Sequence, residues 1–107
     1  MARQRHDDPE LDDLISEITT DCYNEDEELT GFENAFDEEA ELPCAGSVIG
    51  EEVQVLSIAS QHGRRELVAT CERRGGRYEV SLFDVKLQAN PATERLLAAY
   101  RRWAAFR

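Results

Sequence analysis

The stretch VQVLSIASQHGRRELVATCERRGGRYEVSL, residues 53–82, decides the fold. Val53, Val55, Ser57 and Ala59 alternate with Gln54, Leu56, Ile58 and Ser60. A period of two sends successive side chains to opposite faces, so this is a strand with both faces partly covered. Gln61-His62-Gly63-Arg64 supplies a hairpin turn that leaves His62 exposed, and residues 66–71 follow as a second strand. Arg74-Gly75-Gly76-Arg77 turns again into a third strand over 78–82. Phe83-Asp84-Val85-Lys86-Leu87 is a short continuation or crossover. The meander is expected to hold three to five strands, and three with a helix packed on them are enough for independent stability.

On either side of the meander the period becomes helical. Upstream, Asp8 is placed to cap a helix that has Pro9 at its first position. Leu11, Leu14, Ile15 and Ile18 form its apolar stripe, and Glu10, Asp12 and Asp13 lie in its first turn, where the dipole favours acids. This helix is expected to end near Cys22. Asn24 followed three residues later by Glu27 starts a second helix, which buries Leu29, Phe32, Ala35 and Phe36 and stops before Leu42-Pro43. Gly31 interrupts it at a cost of about 1 kcal/mol relative to Ala. Downstream, Asn90-Pro91 opens a C-terminal helix with Leu96, Leu97, Tyr100, Trp103 and Ala104 on one side. Arg101, Arg102 and Arg107 crowd its end. The order of elements is that of an α+β domain.

Charge is divided sharply along the chain. Residues 1–52 hold 18 carboxylates and 2 bases, a formal charge of −16, whereas residues 53–107 hold 5 and 10, a formal charge of +5. No Lys or Arg occurs from His6 to Gly63. Such density repels itself and must be offset by a divalent cation, a basic partner or the chain's own basic half. A net charge of −11 argues against nucleic acid and lipid headgroups as partners. No apolar run approaches the ~20 residues that span a bilayer. The start of the chain turns acidic without the apolar region of a secretory signal. Cys22, Cys44 and Cys71 are odd in number and widely spaced, a pattern of buried, reduced thiols in a cytoplasmic protein rather than of disulfides or zinc ligands. With no GxSxG or phosphate-loop lysine motif, catalysis has no foothold, and the chain is read as a non-enzyme. Arg64, Arg65, Arg73, Arg74 and Arg77 are read as turn and edge charges that guard the meander against edge pairing.

The acidic half suits a hard cation. Ca²⁺ takes six to eight oxygen ligands in forgiving geometry. Asp26, Glu33, Asp37 and Glu41 project at similar angles from the second helix, away from Phe32 and Phe36. Residues 37–41 place four acids at its C-terminus, where the dipole disfavours them, and that placement motivates a bound cation. The frame from Asp26 to Asp37 matches a twelve-residue calcium loop only in part, because Glu28 is too long for its third position and Glu33 stands where an apolar residue is usual.

Several segments, in order, resemble a known family. Asp21-Cys22-Tyr23-Asn24-Glu25-Asp26-Glu27 is similar to its "DAYGEEE" opening, and Phe32, Phe36 and Asp37-Glu38 to its aromatic-then-"LED" segment. Leu42-Pro43-Cys44-Ala45 resembles its "FPF" turn, and residues 50–55 its "VGEEVEV" strand. Residues 77–85 suit its "xxVPLxxL" strand, and Tyr100 and Trp103 its aromatic last helix. The chain thus resembles, from about Asp13 to Trp103, the CcbP-like family of small acidic bacterial calcium-binding proteins. It departs at Cys44, where the family has an aromatic, at Phe36, where it has an aliphatic, and at Ala98-Ala99, where it often has acids.

The resemblance implies a non-EF-hand Ca²⁺ site at Asp37 and Glu38, with helices on a small barrel-like sheet. Glu41 and Glu33 join as secondary ligands on helical geometry. The expectation is a flexible tail at 1–8 and one domain at 9–107. Two N-terminal helices pack on an antiparallel, barrel-like β-meander closed by a C-terminal helix. Function is that of a monomeric cytoplasmic calcium buffer or sensor. The competing reading is an acidic interaction module that binds a basic protein partner as an inhibitor or nucleic-acid mimic.

Overall fold

In the computed structural model, which describes residues 8–61 and 63–106, one antiparallel sheet carries three helices. The order is α1 (Pro9–Ile18), α2 (Glu25–Glu39), β1 (Cys44–Val48), β2 (Glu51–Ser60), β3 (Leu67–Arg73), β4 (Gly76–Ser81), a single 3-10 turn (Leu82–Asp84), β5 (Val85–Leu87) and α3 (Pro91–Phe106). The expected α+β architecture and both hairpin turns of the meander are present. The tail expected at 1–8 lies outside the described residues apart from Asp8, and so does His62.

The strands lie side by side as β4-β3-β2-β1-β5. The five strands fall within the expected three to five; strand β1, not named from the sequence, pairs with β2 on one side and β5 on the other. The segment after β4 is a crossover: β4 and β5 sit at opposite edges, yet only the 3-10 turn joins them. Four Cα steps from Ser81 to Val85 reach at most about 15 Å. Five flat strands would hold their edges about 19 Å apart. The sheet must therefore curl until its edges approach at that corner. It does not close: β4 and β5 remain edges, so the barrel-like expectation gives way to an open, curled sheet.

The pattern in β2 also differs from strict alternation. Val55 pairs with Cys71 and Ser57 with Thr70, which leaves Leu56 as a bulge residue. The extra residue flips the phase, so Val53, Val55 and then Ile58 are buried while Ser57 is exposed. Leu67, Ala69 and Cys71 of β3 meet them, and Phe32 and Phe36 of α2 with Leu96, Tyr100 and Trp103 of α3 complete the core. Tyr100 is its centre. Its ring packs on Phe32, Phe36, Phe83 and Trp103 at centroid distances of 5.0–6.1 Å. Its hydroxyl accepts the Leu67 N–H at 2.8 Å, at the start of β3.

Helix α1 begins as expected, with Asp8 Oδ1 accepting the Leu11 N–H at 3.2 Å. It stops at Ile18, short of Cys22. Thr19 and Thr20 turn their hydroxyls back to the Ile15 and Ser16 carbonyls, and Asp21 takes a left-handed φ of 67° that redirects the chain. None of the α1 residues is fully buried; its stripe rests half-covered on α2 and α3. Among the described residues no helix is long and apolar enough to cross a membrane. The three cysteines are free, Cys71 buried and Cys22 and Cys44 half-buried. Burial pushes all three thiols up, and Glu27, Glu28 and Asp21 raise Cys22 further.

Gly31, which helix propensity alone makes a defect, has a tertiary reason. A Cβ there would stand 2.7 Å from the Ile18 carbonyl oxygen, so glycine lets the end of α1 lie directly on α2. Gly31→Ala should therefore forfeit the propensity gain of about 1 kcal/mol and destabilise by about 1–3 kcal/mol through overpacking. Urea unfolding measures the change, and a rise in midpoint would contradict this packing.

Candidate metal centre

The acidic helices are fixed at both ends by specific hydrogen bonds. Asn24 Oδ1 accepts the Glu27 N–H and Glu27 Oε1 accepts the Tyr23 N–H, each at 2.9 Å, a reciprocal cap that starts α2. Glu25 to Glu28 then sit in the first turn, on the favourable side of the dipole. At the other end Asp37, Glu38 and Glu39 occupy the last turn with no base among them. The N-terminus of α3 abuts this end. The Glu39 carbonyl accepts the Thr93 hydroxyl at 3.1 Å and the Asn90 side-chain amide at 3.4 Å. The partial positive charge of a helix N-terminus offsets the acids at the neighbouring C-terminus. Part of the electrostatic cost that suggested a cation is thus met within the chain.

The basic half reaches the acidic half at three more places. Arg102, 13% exposed, grips Asp12 with Nε at 2.8 Å and Nη2 at 3.3 Å from its two oxygens. Arg95 lies 3.9 Å from Glu10, and Arg73 3.0 Å from Glu51. In addition, the Trp103 indole N–H donates to Glu28 at 2.7 Å.

The four expected ligands fall in different surroundings. Glu33 is half-buried and holds the end of β2: its two oxygens accept the Ser60 N–H at 3.0 Å and hydroxyl at 2.8 Å. Asp37 is exposed on the turn that follows. Glu38 faces a groove between α1, α2 and α3, and Glu41 borders a small cavity with Ala40, Asn90 and Thr93. Among the described residues no three His, Cys, Asp or Glu side chains gather closely enough to hold a metal ion. Asp37, Glu38 and Glu41 also make no ion pair among the described residues, so their carboxylates are open to an incoming cation. Their donor atoms are all oxygen, the type a hard cation takes.

Sequence reading passed over the acids of α1 that line the same groove. Glu10, Asp13 and Glu17 stand opposite Glu38 and Glu39, with Arg95 on the third wall. Their spacing of three and four residues was a usable signal, since it puts them on one flank of the apolar stripe.

Helices that cover one side of a curled antiparallel sheet, with the acids concentrated on the two N-terminal helices, define a class of small α+β domain. The chain has the CcbP fold. The crystal structure of Anabaena CcbP superposes with a TM-score of 0.81 and 21% identity, over 98% of this chain and 96% of that one. A calcium binding protein solved in its calcium-binding form superposes with a TM-score of 0.79 and 20% identity, over 97% and 96%. No family model and no curated protein sequence matches the chain.

The Asp12–Arg102 pair makes a pH-dependent contribution of defined sign. The hydrogen bond from Arg102 holds the Asp12 carboxyl below its ordinary 3.8. Its stabilising effect is therefore complete above that value and disappears as pH falls through the lowered folded value. Asp12→Asn should unfold at lower urea than the parent chain at neutral pH, and the two should converge in acid below the ordinary carboxylate range. A gap that persists there would mean the pair does not act through charge.

Proposed function

We propose that this chain is a Ca²⁺-binding protein of non-EF-hand type, with the ion at the C-terminal turn of α2. Asp37 and Glu38 are its lead carboxylates, and Glu41 and Glu33 are secondary ligands. The observation that carries the proposal is the fold shared over nearly the whole chain with a calcium binding protein solved in its calcium-binding form. The run of acids at a helix end, without a base to pair them, is the local support.

An open, oxygen-rich surface asks little of geometry. Ca²⁺ accepts irregular shells with water and carbonyl ligands, whereas Mg²⁺ demands a tight octahedron and holds its water. Asp37 and Glu38 keep the freedom to turn towards an ion because they are exposed and unpaired. Glu33 joins only by sharing an oxygen already hydrogen-bonded to Ser60. A site assembled from dispersed carboxylates has a modest affinity, about 10⁻⁵–10⁻³ M, and prefers Ca²⁺ over Mg²⁺. Such a protein works in the cytoplasm as a monomeric buffer or sensor without catalysis.

Thermal unfolding in EDTA, in millimolar Ca²⁺ and in millimolar Mg²⁺, at fixed ionic strength, tests the proposal. At a hundredfold excess over Kd, Ca²⁺ should add about 2.7 kcal/mol by linkage, and Asp37→Asn/Glu38→Gln should abolish the gain. Equal responses to the two ions would mean that general screening alone acts, and the proposal would fail.

A further inference from the structure

A concavity of about 690 Å³ lies between the three helices and is closed at one end where Ile18 rests on Gly31. Its floor is apolar, made by Leu14 and Ile18 of α1, Ala35 of α2 and Leu96 of α3. The α1 contribution is incompletely covered: Leu14 and Ile18 belong to the apolar stripe of their helix, yet both stay half-buried. The walls are acidic. Glu10, Asp13 and Glu17 rise on one side and Glu38 and Glu39 on the other, against a single guanidinium, Arg95, which is turned to Glu10.

That combination selects one kind of occupant. A free metal ion would satisfy carboxylates but leave the hydrophobic floor wet. Nucleic acid and lipid headgroups bring the wrong sign of charge. An apolar segment without cations would cover the floor but not offset the walls. A helix with apolar residues on one face and Lys or Arg on its flanks does both, in the helix-in-groove mode of recognition. We infer that the groove between α1, α2 and α3 is a docking site for a basic amphipathic segment of a partner protein. Its apolar residues lie on the half-buried Leu14 and Ile18, and its cations face Asp13, Glu17, Glu38 and Glu39. The inference shares Glu38 with the proposed ion site but does not need bound Ca²⁺, because the apolar floor and the acids of α1 lie outside that site.

Fluorescence anisotropy in EDTA, near physiological ionic strength, with the full chain and two labelled synthetic peptides tests this. One peptide carries Leu and Lys in an amphipathic helical pattern; the other has the same composition with the pattern scrambled. The patterned peptide should bind at least about tenfold more tightly than the scrambled one. Asp13→Asn/Glu17→Gln on the groove wall should weaken it by about tenfold, mainly through slower association, because both acids are exposed. Glu79→Gln, an exposed acid on β4 away from the groove, should leave it unchanged. Equal binding of the two peptides, or equal weakening by the β4 variant, would reduce the effect to diffuse attraction and overturn the inference.

Discussion

Mutual repulsion between α1 and α2 is the constraint on which the arrangement depends. The two helices carry twelve carboxylates and no base, and they nevertheless cross with backbone in contact at Ile18 and Gly31. Helix α3 makes this possible. It contributes Arg102 to Asp12, Arg95 to Glu10, the Trp103 indole to Glu28 and its own N-terminus to the end of α2. Exposed ion pairs are worth only about 0–1 kcal/mol each. Burial of one large apolar side chain is worth about 1.5–3 kcal/mol. The aromatic cluster around Tyr100 therefore supplies most of the binding of α2 to α3, and the charges decide where α1 lies upon them.

Much of this was readable because local chemistry and tertiary packing agree. Asp8-Pro9 and Asn24 cap the helices where their side chains say they should. Gly63 and Gly75 both adopt left-handed φ in the turns that the glycines marked. What escaped the sequence depends on neighbours far away in the chain. Strand β1 is short and made mostly of small residues, and it becomes a strand because β2 and β5 flank it. The bulge at Leu56 changes which of Ser57 and Ile58 faces the core, and no pattern within β2 announces it. The curl of the sheet follows from a three-residue link between opposite edges, which requires the strand order to be known first.

The candidate site shows the same division. The acids at the end of α2 are exposed, with no base in that last turn. The surroundings of each acid depend on neighbours outside the helix. Glu33 looked equivalent to Asp37 on helical spacing, but Ser60 lies within reach of one and uses both its oxygens. Glu38 lines the groove with α1, and Glu41 lies past the extended cap at Ala40, beside a separate small cavity. A carboxylate-rich stretch fixes the type of ligand atom on offer, and distant neighbours such as Ser60 decide which oxygens stay open.

The central claim, that the end of α2 is a specific Ca²⁺ site, is tested most directly by backbone amide chemical shifts followed through a Ca²⁺ titration of the isotopically labelled protein, with Mg²⁺ titrated in parallel. A saturable set of changes confined to the last turn of α2 and the adjoining start of α3, weak or absent with Mg²⁺, is the predicted result. Small, unsaturated changes spread over all the acids of α1 and α2, alike for both ions, would contradict it.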